Sequence, residues 1–243
     1  MLMMSLFRRA TAGALLLALF AGVLAACGDS EPDQRKAFIR FLQDINNRAG
    51  VHYLIPTPED EKAFGPYLQH YAIILDFNKD MKAASEEFAR HVMKLGLGPG
   101  AGVRTIEQMA AAPQDLTTAK DEVTNMEQAM EARLAKVTAD RSALKQPDEL
   151  KAVYDKTFDK LVTAPTLAFE KSVKTLQAGI DASIRLVDYI NSHRTRLTIS
   201  GTQIQAKDQR TIDELNALFK AHQEAGERFA AAQRDGERLV RGD

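Results

Sequence analysis

The chain has 243 residues, 27% charged and 45% hydrophobic, with 32 basic and 33 acidic side chains and one cysteine. That length suits one sizeable core rather than two domains. A balance this close to neutral excludes a nucleic-acid binder, which needs a basic surface.

The first thirty residues carry the sharpest signal. Arg8 and Arg9 form a positive n-region, and an uncharged apolar run follows from Ala12 to Leu24. The run is short of the roughly 20 residues of a membrane-spanning helix, so it reads as a secretory signal. It ends in Leu24-Ala25-Ala26-Cys27, the order of a bacterial lipobox. Small residues before the cut fit the narrow groove of a signal peptidase, and the cysteine after it supplies the thiol that is acylated. A plain signal peptide that happens to precede a cysteine, or a short uncleaved anchor, is the competing reading. Cleavage before Cys27 leaves a mature chain with 30 basic and 33 acidic groups, a net −3. Cys27 is the only cysteine, so the exported domain has no disulfide, and its one thiol is accounted for by lipidation. Burying acyl chains gives about 0.8 kcal/mol per methylene; one chain holds a protein only marginally, and two or three make attachment permanent. From Gly28 to Gln34 an extended tether reaches about 23 Å. Gly28 stands where an Asp commonly retains a lipoprotein in the inner membrane. The expected address is therefore the outer membrane, facing the periplasm, with membrane lipid held through Cys27.

In the mature part, Ser30-Glu31-Pro32-Asp33 reads as a helix start, with a capping hydroxyl, acids and a proline in the first turn. Phe38, Phe41, Leu42 and Ile45 then share a face until about Gly50. Thr57-Pro58-Glu59-Asp60 is a second start of the same kind. From Tyr67 through Tyr71, Ile74, Met81, Ala84, Phe88, Val92 and Leu95 the apolar spacing is helical, with a kink expected at Gly65-Pro66. Gly96 to Gly102 cannot hold a helix and reads as a hinge or loop; it lacks the Lys-Ser/Thr of a phosphate loop. After a short helix over Thr105 to Ala110, Leu116, Ala119, Val123, Met126, Met130, Leu134 and Val137 recur at near-heptad spacing, the pattern of long antiparallel helices. Pro147 and Pro165 each read as starting a further helix, the second carrying Phe169, Val173, Leu176, Ile180, Ile184, Val187 and Ile190. Between Arg196 and Ala206 the period changes to two. With Gly201-Thr202 as the turn, Ile199 pairs with Ile204 and Leu197 with Ala206, while Thr198 and Gln205 face outward. A last helix from about Asp208 uses Ile212, Leu215, Leu218, Phe219, Phe229 and Leu239.

These segments resemble the YiaF-like family of enterobacterial lipoproteins. The likeness is carried by Asp33-Gln34-Arg35-Lys36-Ala37-Phe38-Ile39, Phe41-Leu42-Gln43, Phe64-Gly65-Pro66 and Tyr71-Ala72-Ile73. It continues at Ser142-Ala143-Leu144-Lys145-Gln146, Leu150-Lys151, Phe158, Val162-Thr163, Pro165 and Asp188-Tyr189-Ile190, spanning residues 27 to about 205. The family is a domain of unknown function, so the resemblance implies a lipid-anchored envelope protein and supplies no active-site residues.

No pair among His52, His70, His91, His193 and His222 has zinc-helix spacing; Glu87 and His91 are four apart, with no second motif. No Gly-x-Ser-x-Gly elbow occurs, and Cys27 is not available as a nucleophile once acylated. Asp121-Glu122, Asp148-Glu149, Lys171 and Lys174 read as solvated helical faces. The terminal Arg241-Gly242-Asp243 reads as a chance tripeptide.

The expected fold is all-α: an elongated bundle of five to seven amphipathic helices with one small β-hairpin near residues 196–206. Residues 1–26 are a removed signal, 27–34 the lipidated cysteine and tether, and 35–243 one helical domain. No enzyme, cofactor or metal site is expected. The leading expectation is an envelope module that binds or scaffolds a protein partner at the membrane surface. A lipid or small-ligand carrier, with an apolar cavity inside the bundle, is the first alternative. A cell-wall enzyme with converging carboxylates is the second.

Overall fold

The computed structural model describes residues 30–95, 106–200 and 203–243. Leu24, Ala25, Ala26 and Cys27, the Gly96–Gly102 hinge and the Gly201-Thr202 turn lie outside the described residues. Helix α1 (Glu31–Asn47) opens on Ser30 with Pro32 in its first turn. The Ser30 hydroxyl does not cap the backbone; it donates to Asp33 Oδ2 at 2.5 Å, while Ser30 O accepts from Asp33 N and Gln34 N. The second start follows its sequence signature closely. Thr57 Oγ1 accepts from Asp60 N at 3.2 Å and Asp60 Oδ2 accepts from Thr57 N at 3.0 Å, the reciprocal pair of a capping box. Helix α2 (Pro58–Phe64) then bends through a single 3-10 turn at Gly65–Tyr67 into α3 (Leu68–Lys94). Gly65, at φ +53°, supplies the left-handed backbone for the kink.

Helices α4 (Ile106–Ala111) and α5 (Pro113–Ala143) follow, and α5 returns antiparallel along α3. Pro165 does not begin a separate helix. Helix α6 (Asp148–Phe158) passes into α7 (Ala164–Ser192) through a π-helical turn, Asp159–Thr163, in which Ala164 N reaches back to Asp159 O. Proline has no N–H for the carbonyl four residues earlier. That carbonyl, Leu161 O, accepts instead from the Tyr53 hydroxyl at 2.5 Å. Burial pushes the Tyr53 phenol up to about 12, so it remains a donor at any physiological pH. The extra residue of the π turn also aims Lys160 at the end of α1. Its ammonium donates to Ile45 O at 2.9 Å, to Asn46 O at 3.4 Å and to Arg48 O, at the helix end where the carbonyls carry partial negative charge.

Strands β1 (Leu197–Ser200) and β2 (Gln203–Ala206) pair antiparallel with Ile199 opposite Ile204 and Leu197 opposite Ala206. Thr198 and Gln205 are exposed while Leu197 is buried, as the alternation requires. Helix α8 (Gln209–Arg241) begins on Asp208, whose Oδ1 accepts from Thr211 N at 3.0 Å.

The apolar stripes meet in three clusters along the rod. Phe38, Leu42, Tyr71, Ile74, Tyr154 and Leu161 lie in the first; Phe88, Val123, Leu176 and Phe229 in the second; Leu116, Val187, Ile190, Leu197 and Leu215 in the third. Helices α5 and α6–α7 run through all three clusters, and α3 through the first two. Helix α1 completes the first part and α8 completes the rest. The two meet end to end: Val51 N donates to Val240 O at 3.0 Å, and Gly50 (φ +68°) lies against Gly242 (φ +85°). The all-α bundle with one small hairpin is the architecture expected from the sequence.

Candidate functional site

Long helices with apolar stripes bury those stripes against neighbours, and a site forms where one edge of the bundle is left open. Helix α8 packs along α7 for most of its length. It meets α3 where the rings of Phe88 and Phe229 lie 6.2 Å apart, with Phe169 of α7 5.2 Å from Phe88 beneath them. On either side of that aromatic contact the α3–α8 edge is a groove. One lobe, of ≈390 Å³, is bordered by Met81, Pro165, Ala168, Gly236, Leu239 and Val240. The other, of ≈530 Å³, is bordered by Phe88, Ala89, Val92, Met93, Phe229 and Ala230. Ser85, Phe169, Ser172, Gln233 and Glu237 border both, so the two are one continuous feature.

The groove's chemistry is apolar by construction. The Ser172 hydroxyl donates to Ala168 O at 3.2 Å, the back-bonding of a helical serine, and so presents little unpaired polarity. Glu237 is turned toward Arg241 at 3.8 Å, an exposed i,i+4 pair of small worth. Small side chains on all three walls, Ser85 and Ala89, Ala168 and Ser172, Ala230 and Gly236, leave room for a neighbour to approach the helix backbones. A Cβ placed on Gly236 would meet no atom within 4 Å. Met93 and Val240, one at each end, are 55% and 52% exposed.

The residues weighed for chemistry are distributed elsewhere. His91 lies between two carboxylates, with Nδ1 3.0 Å from Glu122 Oε2 and Nε2 3.8 Å from Glu87 Oε1. The acids address opposite ring nitrogens, so the three side chains do not converge on one point. Among the described residues no three His, Cys, Asp or Glu side chains are placed to hold one metal ion. His70 and His222 are half-buried, and burial pushes both imidazoles below their ordinary value. His70 Nδ1 lies 3.0 Å from the Gln146 amide nitrogen and so acts as an acceptor. His52 is exposed. Asp148 and Glu149 are exposed in the first turn of α6 and belong to its helix start.

Lys171 and Lys174 do more than face solvent. Lys171 reaches Asp235 of α8 at 2.6 Å and Lys174 reaches Glu127 of α5 at 3.9 Å. Arg241-Gly242-Asp243 closes α8: Gly242 N donates to Arg238 O at 2.7 Å, and the glycine takes the left-handed position of a helix end. Sequence reasoning did not find the groove, because Ala, Ser and Gly on a helix do not announce whether the space above them is filled. Within the described residues no helix is long and apolar enough to cross a membrane.

Comparison with known proteins bears on this arrangement as a whole. The chain is 32% identical over 203 residues to the uncharacterized protein YiaF of Escherichia coli K12, covering 81% of each chain. The uncharacterized YiaF of Shigella flexneri matches to the same extent. No solved structure matches. The family model described as a protein of unknown function (DUF3053) matches residues 14–237, which takes in the glycine-rich segment 96–102 and nearly all of α8 as well as the blocks noted in the sequence. The chain belongs to this YiaF-like family of unknown function.

Proposed function

We propose that this protein is a lipid-anchored lipoprotein of the cell envelope that works by binding, not by catalysis, and that the α3–α7–α8 groove receives its partner. The observation that carries the reading is the groove itself. It is open along its length, apolar, and walled by small residues on three helices, the form used to dock an amphipathic helix of another protein. Phe38, Leu42, Ile45 and Leu161 of the first cluster are at 0% exposure, whereas the groove leaves apolar side chains such as Met93 and Val240 accessible. The anchor half of the proposal rests on the order Arg8-Arg9, apolar run, Leu24-Ala25-Ala26-Cys27. Gly28 in place of Asp supports an outer-membrane site facing the periplasm.

Two measurements test it. A palmitate analogue fed to cells should label the wild-type protein and not Cys27→Ser; equal labelling of both removes the anchor. A photo-crosslinking residue at Ala89 or Ala230 should give a discrete adduct in intact cells that Gly236→Trp abolishes; adducts unchanged by filling the groove remove the binding site. A second reading follows from volume: lobes of ≈390 and ≈530 Å³ lie in the range of small-ligand sites, so a lipid chain or apolar small molecule is the alternative occupant. Native mass spectrometry of protein extracted without detergent distinguishes the two, since a carrier retains a small ligand.

A further inference from the structure

The start of the rod and the start of the chain coincide. The Tyr67 hydroxyl donates to Glu31 in the first turn of α1. One turn along α3, His70 is bonded to Gln146 at 3.0 Å, immediately before α6. The first turn of α1 and the beginning of the α6–α7 helix therefore share one end of the molecule. From there α6, the π turn and α7 continue unbroken over residues 148–192, about 67 Å at 1.5 Å per residue. The hairpin sits at the opposite tip. Between Cys27 and Glu31 the chain can span at most about 14 Å even when fully extended. Helix α1 cannot unwind cheaply to lengthen that link, because Phe38, Leu42 and Ile45 are fully buried.

We infer that the bundle meets the bilayer end-on, through the first turn of α1 and the bend between α2 and α3, and holds its β-hairpin about 70 Å above the headgroups. The inference rests on the lipid anchor proposed above. Lying flat on the α8 side is opposed by the charge of that face. The outer face of α8 carries the exposed pairs Arg210–Glu214, Lys220–Glu224 and Arg228–Glu224. Pressing them into lipid would strip water from charges of both signs, whereas helices that lie in an interface present one clean apolar face. The α3–α8 groove is recessed between helices and offers no such face.

The test uses the full lipidated protein in phosphatidylethanolamine–phosphatidylglycerol vesicles carrying a headgroup acceptor dye. Because Cys27 is the only native cysteine and is acylated, Lys36→Cys and Thr198→Cys each give one labelling site; both positions are exposed. Energy transfer from position 36 should exceed that from position 198 several-fold, with position 198 near background. Equal transfer from both, or weak transfer from position 36, overturns the end-on orientation. Wild-type protein that fails to float with the vesicles overturns the anchor and this inference together, whereas floating protein with equal transfer overturns the orientation alone.

Discussion

Substituting Gly50 by Ala tests whether the junction of α1 and α8 holds the rod together. At φ +68° a Cβ is strained in its own right, costing about 1–2 kcal/mol. The added atom would also lie 2.3 Å from Val240 O and 2.7 Å from the Arg241 carbonyl carbon. Both are backbone atoms, so no side-chain rotation relieves the clash and the end of α8 must move. That movement breaks the bond from Val51 N to Val240 O, worth about 0.5–1.5 kcal/mol net. The sum is about 1.5–3.5 kcal/mol, against a total stability of order 5–15 kcal/mol. Urea unfolding followed by circular dichroism measures it directly, and the melting temperature should fall by about 3–14 °C. In a chain ending at Leu239 the contact is already gone, and the same substitution should cost only the strain, about 1–2 kcal/mol. A cost of less than about 0.5 kcal/mol in the full chain, or the same cost in both backgrounds, refutes the reasoning.

Four further expectations follow from the same geometry. Gly226→Ala and Gly236→Ala lie in the interior of α8, where a Cβ meets no atom within 4 Å; each should stabilise by about 0.5–1 kcal/mol in urea titrations, and a loss on Gly236→Ala would mean that the groove is narrower than described. Tyr53→Phe leaves Leu161 O without the hydroxyl that now serves it and should cost about 1–3 kcal/mol; no change in the unfolding midpoint would show that water replaces the phenol. Phe88→Ala removes the ring on which Phe169 and Phe229 rest, for an expected loss of about 3–5 kcal/mol by the same assay. Burial holds the His70 and His222 imidazoles below their usual 6.5. The unfolded chain therefore binds more protons than the folded one as the pH drops through 6.5, and stability present at neutral pH declines from that point downward. Unfolding free energies that stay flat or rise between about pH 7.5 and pH 5 contradict it.

Much of this fold was legible because local chemistry and global packing agree. Thr57-Pro58-Glu59-Asp60 states a helix start, and the structure uses each residue of it. The hairpin register followed from a period of two, and Leu197 is buried where the alternation placed it. Pro165 was misleading, since a proline preceded by a break reads as a start. What keeps α6 and α7 continuous is a donor from residue 53, over a hundred residues away, which no window on the sequence contains. Ile39 and Phe77 are buried but fall beside the stripes counted from the sequence. They are covered because more than one neighbour packs on those helices. The groove was illegible for the complementary reason: Ala89, Ala230 and Gly236 are small whether or not a helix lies over them. Lys171 and Lys174 looked like solvated cations, and only the placement of α5 and α8 shows what they reach.

The unbroken passage from α6 through the π turn into α7 has a mechanical consequence. A load applied at the hairpin travels to the base through hydrogen-bonded helix along the whole path, with α3 and α5 alongside as struts that span the middle. Flexure is resisted in the very region where α1 gives way to α8, since three of the lanes there have no joint. A displacement of the hairpin end is thereby transmitted to the far end of the bundle, about 67 Å along α6–α7, in compression as well as in tension.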